Sequence, residues 1–402
     1  MNSNKIKYLV LFTVFIDVVG LGIIIPVIPF YVERLSGSPL TVTTLFAVFA
    51  LCSFVSSPLI GALSDRYGRR PALMVSIAST AAGWFIFAAA PNLWILYLGR
   101  IVDGLAAGNL PVAQSALIDL AKDDKERTAN LGLIGAVFGI AFIIGPFIGG
   151  TLGNIAHSLP FWFVGCLATL NLIGAYFFFP ETRDASQRHH DRLFSLNPFA
   201  PISRAVKNIQ LRPNYTALFL FGLAIAGSQS VFSLYLKNVY GYEELVTGII
   251  FALTGVVIAF NQGFMMRRFW LKRFKEPVLE LIMLLVFGLS YIFLSLPIFI
   301  FLVIGLLGMT FGQSVLRVVM NGQIVGKASP AMRGEVLGIS ASIVSLAAGI
   351  APFATGTLFT WRVYAPFILS AALLFGAFGV LCKARRRLAT DLSPETPVIS
   401  EV

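Results

Sequence analysis

Charge is scarce in this sequence. Asp, Glu, Lys and Arg make up 12% of its 402 residues, about half of the roughly 25% usual in soluble domains. Hydrophobic residues make up 57%, and the mean hydropathy is +0.83. That balance excludes a soluble globular chain. Cysteine is scarce too. Cys52, Cys166 and Cys382 are odd in number, two of them lie inside apolar runs, and their spacing matches no metal site. They read as packing residues in a chain that needs no disulfides. The three histidines, His157, His189 and His190, fall in loops, so neither a catalytic nor a metal-binding cluster is expected. No Gly-x-x-x-x-Gly-Lys-Ser/Thr stretch occurs, which removes the usual cradle for ATP.

What the sequence has instead is long apolar runs. A helix needs about 20 apolar residues to cross roughly 30 Å of hydrocarbon. Such runs lie near 8–30, 40–62, 71–90, 93–118, 129–153, 159–180, 214–236, 246–266, 277–296, 298–322, 335–358 and 363–382. The first is retained as a span rather than read as a signal peptide: it is too long, lacks a small-residue cleavage site and carries Asp17 in its middle. The fold class expected is an all-α membrane protein with twelve transmembrane helices.

The formal net charge of +11 raises the question of nucleic acid, and the placement of the charges answers it. Cytoplasmic loops collect Lys and Arg. With the N-terminus inside, 25 of the 30 Lys and Arg residues fall on the inner side. Only Arg34, Lys237 and Arg362 fall outside, and Arg100 and Arg317 lie within spans. The excess is topological, so no nucleic-acid partner is expected and both termini are placed in the cytoplasm.

The chain also repeats itself. At an offset of 206, Arg127 meets Arg333, Leu131-Gly132 meets Leu337-Gly338, Pro146-Phe147 meets Pro352-Phe353, and Gly150-Thr151-Leu152 meets Gly356-Thr357-Leu358. Two pseudo-symmetric six-helix bundles follow, at 1–180 and 214–385, joined by a cytoplasmic linker at 181–213 and followed by a tail at 386–402. Parallel halves of this kind are a transporter architecture, with the substrate site at midplane between them.

Between the second and third runs lies a polar knot, Gly61-Ala62-Leu63-Ser64-Asp65-Arg66-Tyr67-Gly68-Arg69-Arg70. It resembles the Gly-x-Leu-x-Asp-Arg-x-Gly-Arg-Arg signature of the major facilitator superfamily. Gly145-Pro146-Phe147-Ile148-Gly149-Gly150 resembles the Gly-Pro-x-x-Gly-Gly element of that superfamily's proton-driven drug antiporters. Leu98-Gly99-Arg100-Ile101-Val102-Asp103-Gly104 resembles their fourth-helix Arg motif. Asp17-Val18-Val19-Gly20-Leu21-Gly22, with Pro26 and Pro29, is similar to the first helix of the tetracycline/proton antiporters. The resemblance implies the major facilitator fold, proton coupling and export of a small molecule.

Three charged residues inside spans are the candidates for proton coupling. Asp17 stands about nine residues into the first span, roughly 14 Å deep. A charge there costs at least about 2.5–3.5 kcal/mol, so such acids are usually functional. Low dielectric disfavours the charged form of a carboxyl, and an acid that gains and loses a proton can couple proton movement to conformation. A structural hydrogen bond to a neighbouring helix is the alternative. Arg100 and Asp103 are spaced i, i+3 and so share a face and can pair. The pair is either inert mutual neutralisation or part of the proton path, and resemblance implies the latter for Arg100.

The knot reads as a conformational latch made of Gly61, Asp65, Arg69, Arg70 and Asp119. Gly61 would let the second span approach the eleventh. Asp65 would face the partly positive N-terminal end of the eleventh span, an attraction of a few tenths to about 2 kcal/mol. Arg69 would pair with Asp119, as the resemblance implies. These contacts are expected only when the cytoplasmic side is closed; a topogenic cluster of positive charge is the plainer alternative. Gly135, Gly139, Gly145 and Gly149, with Pro146, make a thin, bent face on the fifth span, suited to packing against the other half. Resemblance gives Gly145, Pro146, Gly149 and Gly150 the task of sealing the closed side.

Candidate cavity residues are Asn109, Gln114, Gln229, Asn261, Gln313 and Arg317; for Arg317, snorkelling to the surface competes with a cavity role. Few polar groups among 36 Phe suit an amphiphilic substrate better than a sugar or phosphate. The function expected is a proton-coupled antiporter of the inner membrane, acting as a monomer without cofactors and driven by the proton gradient. Importers or uniporters of a metabolite, and lipid flippases, share the fold.

Overall fold

The computed structural model describes residues 3–121, 123–182, 197, 199–328 and 332–391. Every regular element among them is a helix: α1 (Ser3–Arg34), α2 (Pro39–Tyr67), α3 (Arg69–Ala88), α4 (Leu93–Leu105), α5 (Asn109–Asp119), α6 (Asp124–Ile155), α7 (Leu159–Phe178), α8 (Ala200–Lys207), α9 (Arg212–Tyr240), α10 (Glu244–Phe260), α11 (Leu271–Arg273), α12 (Glu276–Leu294), α13 (Phe299–Gly326), α14 (Arg333–Trp361) and α15 (Ala365–Asp391). In hydrocarbon every backbone polar group must find its partner within the chain, and the helix does this locally. Twelve spans result. The fourth is α4 with α5, and the eighth runs from α10 through a wide π-helical stretch, Asn261–Trp270, into α11. Local signals set the ends. Ser38 accepts a hydrogen bond from the Thr41 amide in a capping box, and Gly241, at φ +68°, closes α9.

Two six-helix bundles form, α1–α7 and α9–α15, with α8 in the connection between them. They meet along two antiparallel seams, α6 on α10 and α2 on α14, each containing one of the two helices, α6 and α14, matched by the internal repeat. On the face opposite to the termini, here the far face, both seams are tight. A Cβ on Gly150 would lie 3.1 Å from the Gly248 Cα, and one on Gly356 3.0 Å from the Thr43 Cβ. Ser233 Oγ donates to the Ile25 carbonyl across the bundles at 2.6 Å.

Toward the face where α1 begins and α15 ends, the terminal face, the seams part. A Cβ on Gly139 would find only Ala259, at 4.0 Å, and one on Gly135 or Gly263, a turn further, would meet nothing within 4 Å. Gly61 and Gly338 on the other seam are equally open. The cavity between the bundles therefore opens on the terminal face.

Gly61 does not bring α2 close to α14 in this state, and that approach is expected only when the face is closed. Of the glycines expected to face the other bundle, Gly145 and Gly149 pack instead on α1 of their own bundle, where an added Cβ would lie 2.8 Å from the Val19 carbonyl and 2.5 Å from that of Ile23; Gly150 of the neighbouring motif faces α10.

Candidate functional site

The fourth span is broken where its sequence is richest in small residues. α4 ends at Leu105 and α5 begins at Asn109, with Gly104, Ala106, Ala107 and Gly108 around the break. A break inside a membrane frees carbonyls that neighbours must satisfy. Ser56 Oγ donates to the Gly104 carbonyl at 2.6 Å, Ser57 Oγ to that of Ala107 at 2.7 Å, and Ser79 Oγ to that of Val102 at 2.5 Å.

The break delivers Asn109, 3% exposed, to the two acids. Its Nδ2 donates to Asp17 Oδ1 at 2.7 Å and to Thr80 Oγ1 at 3.2 Å. Thr80 in turn lies beside Asp103, whose Oδ2 lies 3.4 Å from Arg100 Nη1. Asp17, Asn109, Thr80, Asp103 and Arg100 thus form one buried polar cluster, hydrogen-bonded from Asn109 to Asp17 and Thr80 and closed by the ion pair of Arg100 with Asp103. Asp17 remains partly accessible, while Arg100 and Asp103 are 2% and 5% exposed.

Arg100 is held mainly by aromatic rings. Its guanidinium carbon lies 4.1 Å from the centre of the Trp84 ring, 4.8 Å from Phe87 and 5.5 Å from Phe49, a desolvated cation–π cage. Its Nε and Nη2 have no hydrogen-bond acceptor among the described residues. A Cβ on Gly83 would sit 2.7 Å from the Asp103 Cβ, so glycine there is what lets α3 and α4 close around the pair.

The knot residues form a second cluster on the terminal face. Gly68, at φ +111°, turns the chain from α2 into α3. Arg69, 5% exposed, donates from Nε to Asp119 at 2.9 Å and from Nη1 to Ser64 at 2.7 Å, and pairs with Asp65 at 2.8 Å. Arg70 donates to the Tyr176 carbonyl at 2.7 Å. The pairing of Arg69 with Asp119 is present although the seams are parted on this face, so it does not depend on closure. Asp65 is engaged by Arg69.

Glu181 is the member that sequence reasoning missed. Its carboxylate accepts from the backbone amides of Arg69 at 2.8 Å and Arg70 at 3.2 Å. It thereby supplies the negative charge that the exposed amides of a helix N-terminus favour.

The remaining cavity candidates separate. Gln114, Gln229 and Gln313 are half-buried, and Arg317 is exposed. Asn261 is fully buried and occupied at both ends of its amide: Nδ2 reaches Ser314 Oγ at 2.5 Å, and Trp270 Nε1 donates to its Oδ1 at 2.7 Å. It ties α10 to α13 instead of lining open space. Glu280, near the start of α12, is 1% exposed and pairs with Arg385 at 2.5 Å. Just beyond α13, burial lowers the proton affinity of Lys327, against the pull of Glu280.

Comparison with known proteins bears on this geometry. The family model described as Major Facilitator Superfamily matches residues 10–352. The tetracycline resistance protein, class C, of Escherichia coli is 29% identical over 389 residues, covering 93% of this chain and 95% of that protein. The quinolone resistance protein NorA of Staphylococcus aureus is 24% identical over 394 residues, covering 96% and 98%. Among solved structures, the human organic anion transporter MFSD10 (TETRAN) superposes with a TM-score of 0.73 at 20% identity, over 95% of this chain and all of that one. A bacterial homologue of the human lysosomal transporter Spinster gives 0.77 at 16%, over 98% and 99%.

Proposed function

This chain belongs to the major facilitator superfamily and is a multi-pass membrane transporter of a small molecule; from that premise we propose that it exports a small amphiphilic compound in exchange for protons, by alternating access. The observation that carries this reading is the buried cluster in which Asn109 bonds Asp17 and Thr80, with the Arg100–Asp103 ion pair beside them. It gives a membrane-embedded carboxyl both partial water access and buried partners to pass charge to. The kinship with drug and tetracycline resistance proteins supports the direction and the substrate class.

The terminal face is the cytoplasmic one in this proposal, because it carries the basic loops, and the protein sits in the inner membrane with both termini inside. The bundles act as units 1–180 and 214–385, with the linker 181–213 and tail 386–402 outside them. A monomer suffices, and the proton gradient replaces any cofactor. The structure is then the inward-open state.

Proton binding has a mechanical route to the seam. Asp17 lies on α1, and Gly22, little more than a turn further, would present a Cβ 3.1 Å from Gly145 and 2.9 Å from Pro146 of α6. Gly150 of the same motif faces α10 across the seam. Repositioning α1 therefore shifts the helix that forms the interface, which gives the Gly145–Gly150 element its part in sealing the closed side.

Asp65, Arg69, Arg70 and Asp119 form the inner latch. Arg69 and Asp119 keep its shape in both states, and Asp65 trades part of its bond with Arg69 for the N-terminus of α14 on closure, with Gly61 clearing the way. Asp65→Asn should slow turnover several-fold while leaving insertion and substrate affinity nearly intact, measured by transport rate and binding on the same preparation. Normal turnover removes the latch. The function as a whole is tested in proteoliposomes: a dye or tetracycline-class compound must accumulate when a pH gradient is imposed, and equilibrate when it is collapsed. Accumulation indifferent to the gradient removes proton coupling.

A further inference from the structure

The bundles also meet on the far face through charges that the Asp17 cluster does not use. His157, in the turn between α6 and α7, places Nδ1 2.6 Å from Glu244 Oε1 at the start of α10. Its ring stacks on Phe30 of α1, with centroids 6.3 Å apart and planes at 20°. Lys237 of α9 sets its ammonium 4.5 Å from the centre of that same Phe30 ring and pairs with Glu33 of α1. Lys237 also lies within charge range of Glu244. Arg34, ending α1, and Glu243, just before α10, are further charges on these elements.

Each of the two ion pairs has one member in each bundle, and both pack about one aromatic ring. Glu244 is buried, its side chain 5% exposed, whereas the histidine is 36% exposed. The carboxylate and the Nδ1 that faces it are therefore sealed in the interface, while the rest of the imidazole ring reaches the surface. Gly153 faces the Glu244 side chain across the seam, and a Cβ there would lie in contact with it, at 3.4 Å. Opening the cavity on the far face must separate both pairs, because α1 and the α6–α7 turn move with one bundle and α9 and α10 with the other.

We propose that His157, Glu244, Lys237, Glu33 and Phe30 form a proton-sensitive lock on the far face, closed when the outer water is acidic. The inference rests on the alternating-access reading above. Imidazole changes charge between about pH 5 and 8. When protonated, His157 attracts the Glu244 carboxylate as an opposite charge and holds the bundles together; when neutral, it keeps at most a hydrogen bond to the carboxylate and the attraction between opposite charges is lost. Lowering the outer pH therefore favours closure, and raising it favours opening. Such a lock restrains far-face opening where the inward drive on protons is largest, which limits leak.

The test uses the full chain in nanodiscs, without substrate, with Cys52, Cys166 and Cys382 replaced by Ala. Spin labels at Ser38 and Thr360, exposed positions on the far-face ends of α2 and α14, report the separation of the bundles. The ratio of far-face-open to closed populations should rise about threefold to fivefold between pH 5.5 and 8, as expected for a partly exposed pair. His157→Gln should be more open and insensitive to pH, and Glu244→Gln should lose the pH response as well. His157→Lys, permanently charged, should stay closed at both pH values. A wild-type response that survives in His157→Gln, or a flat wild-type response, overturns the lock. Transport of a fluorescent dye, measured separately under a pH gradient, tests the antiport reading alone, since the spin-label equilibrium requires no transport.

Discussion

Asp17→Asn is expected to abolish uphill transport while leaving a folded protein that still equilibrates its substrate. The substitution is close to isosteric, and the Asn109 amide can donate to a carboxamide oxygen as it does to Asp17 Oδ1, 2.7 Å away, so the local packing survives. What is lost is the group that takes up and releases a proton. One charge moved through about 100 mV carries about 2.3 kcal/mol, and each 1.4 kcal/mol corresponds to tenfold. A one-proton cycle can then sustain roughly a 50-fold concentration ratio. In proteoliposomes the variant should fall from that ratio to about 1 under an imposed gradient, while counterflow exchange of labelled for unlabelled substrate continues. A variant that accumulates substrate in proportion to the pH gradient removes Asp17 from the coupling step and leaves it as a structural partner of Asn109.

The same contrast separates what was legible in the sequence from what was not. Hydropathy is a property of each run taken alone, so the twelve spans could be read residue by residue, and the offset of 206 exposed the matching helices α6 and α14. The i, i+3 spacing placed Arg100 beside Asp103 for the same reason, because a helix fixes its own periodicity. Contacts between helices carry no such local mark. The break at Leu105–Asn109 is hidden in an apolar run, since it is sustained by Ser56, Ser57 and Ser79 on other helices. Thr80, which bonds Asn109 beside Asp103, looks like any other small residue in α3. Glu181 lies in what composition assigns to the linker, and only folding brings it to the start of α3.

State matters in the same way. Gly61 promised a close approach, and in this conformation it faces open space; Gly135 does likewise on the other seam. Both are opposed by a glycine, Gly338 and Gly263, at the register extrapolated from the tight far ends of the seams. The sequence thus marks surfaces suited to close packing but does not say in which conformation they touch. The far-face lock was missed for a related reason: His157 and Glu244 are 87 residues apart and come from helix ends, where charged side chains are ordinarily solvated.

Arg100→Met should be among the most destabilising single changes in the chain. It removes the cation from between Trp84, Phe87 and Phe49 and leaves the Asp103 carboxylate buried without its ion-pair partner. Breaking a buried pair from one side costs about 3–5 kcal/mol, whereas replacing both partners by apolar residues of similar volume is often neutral. The double variant Arg100→Met with Asp103→Leu should therefore regain most of the loss, read as thermal unfolding in detergent against the single variants. The space beside Gly83 is narrow, with overpacking costs of about 1–3 kcal/mol, so Asp103→Ala is the control for crowding by leucine. Transport by the stabilised double variant then decides between the two readings of the pair. If Arg100 and Asp103 only neutralise each other, it retains pH-driven accumulation. If they are the inner end of the cluster that begins at Asp17, it folds and fails to couple, because the proton held at Asp17 no longer has charged partners beyond Thr80 to respond to it. The second outcome is expected: a guanidinium with two nitrogens lacking acceptors, paired with an acid buried close to a second acid, is a costly way to achieve mutual neutralisation.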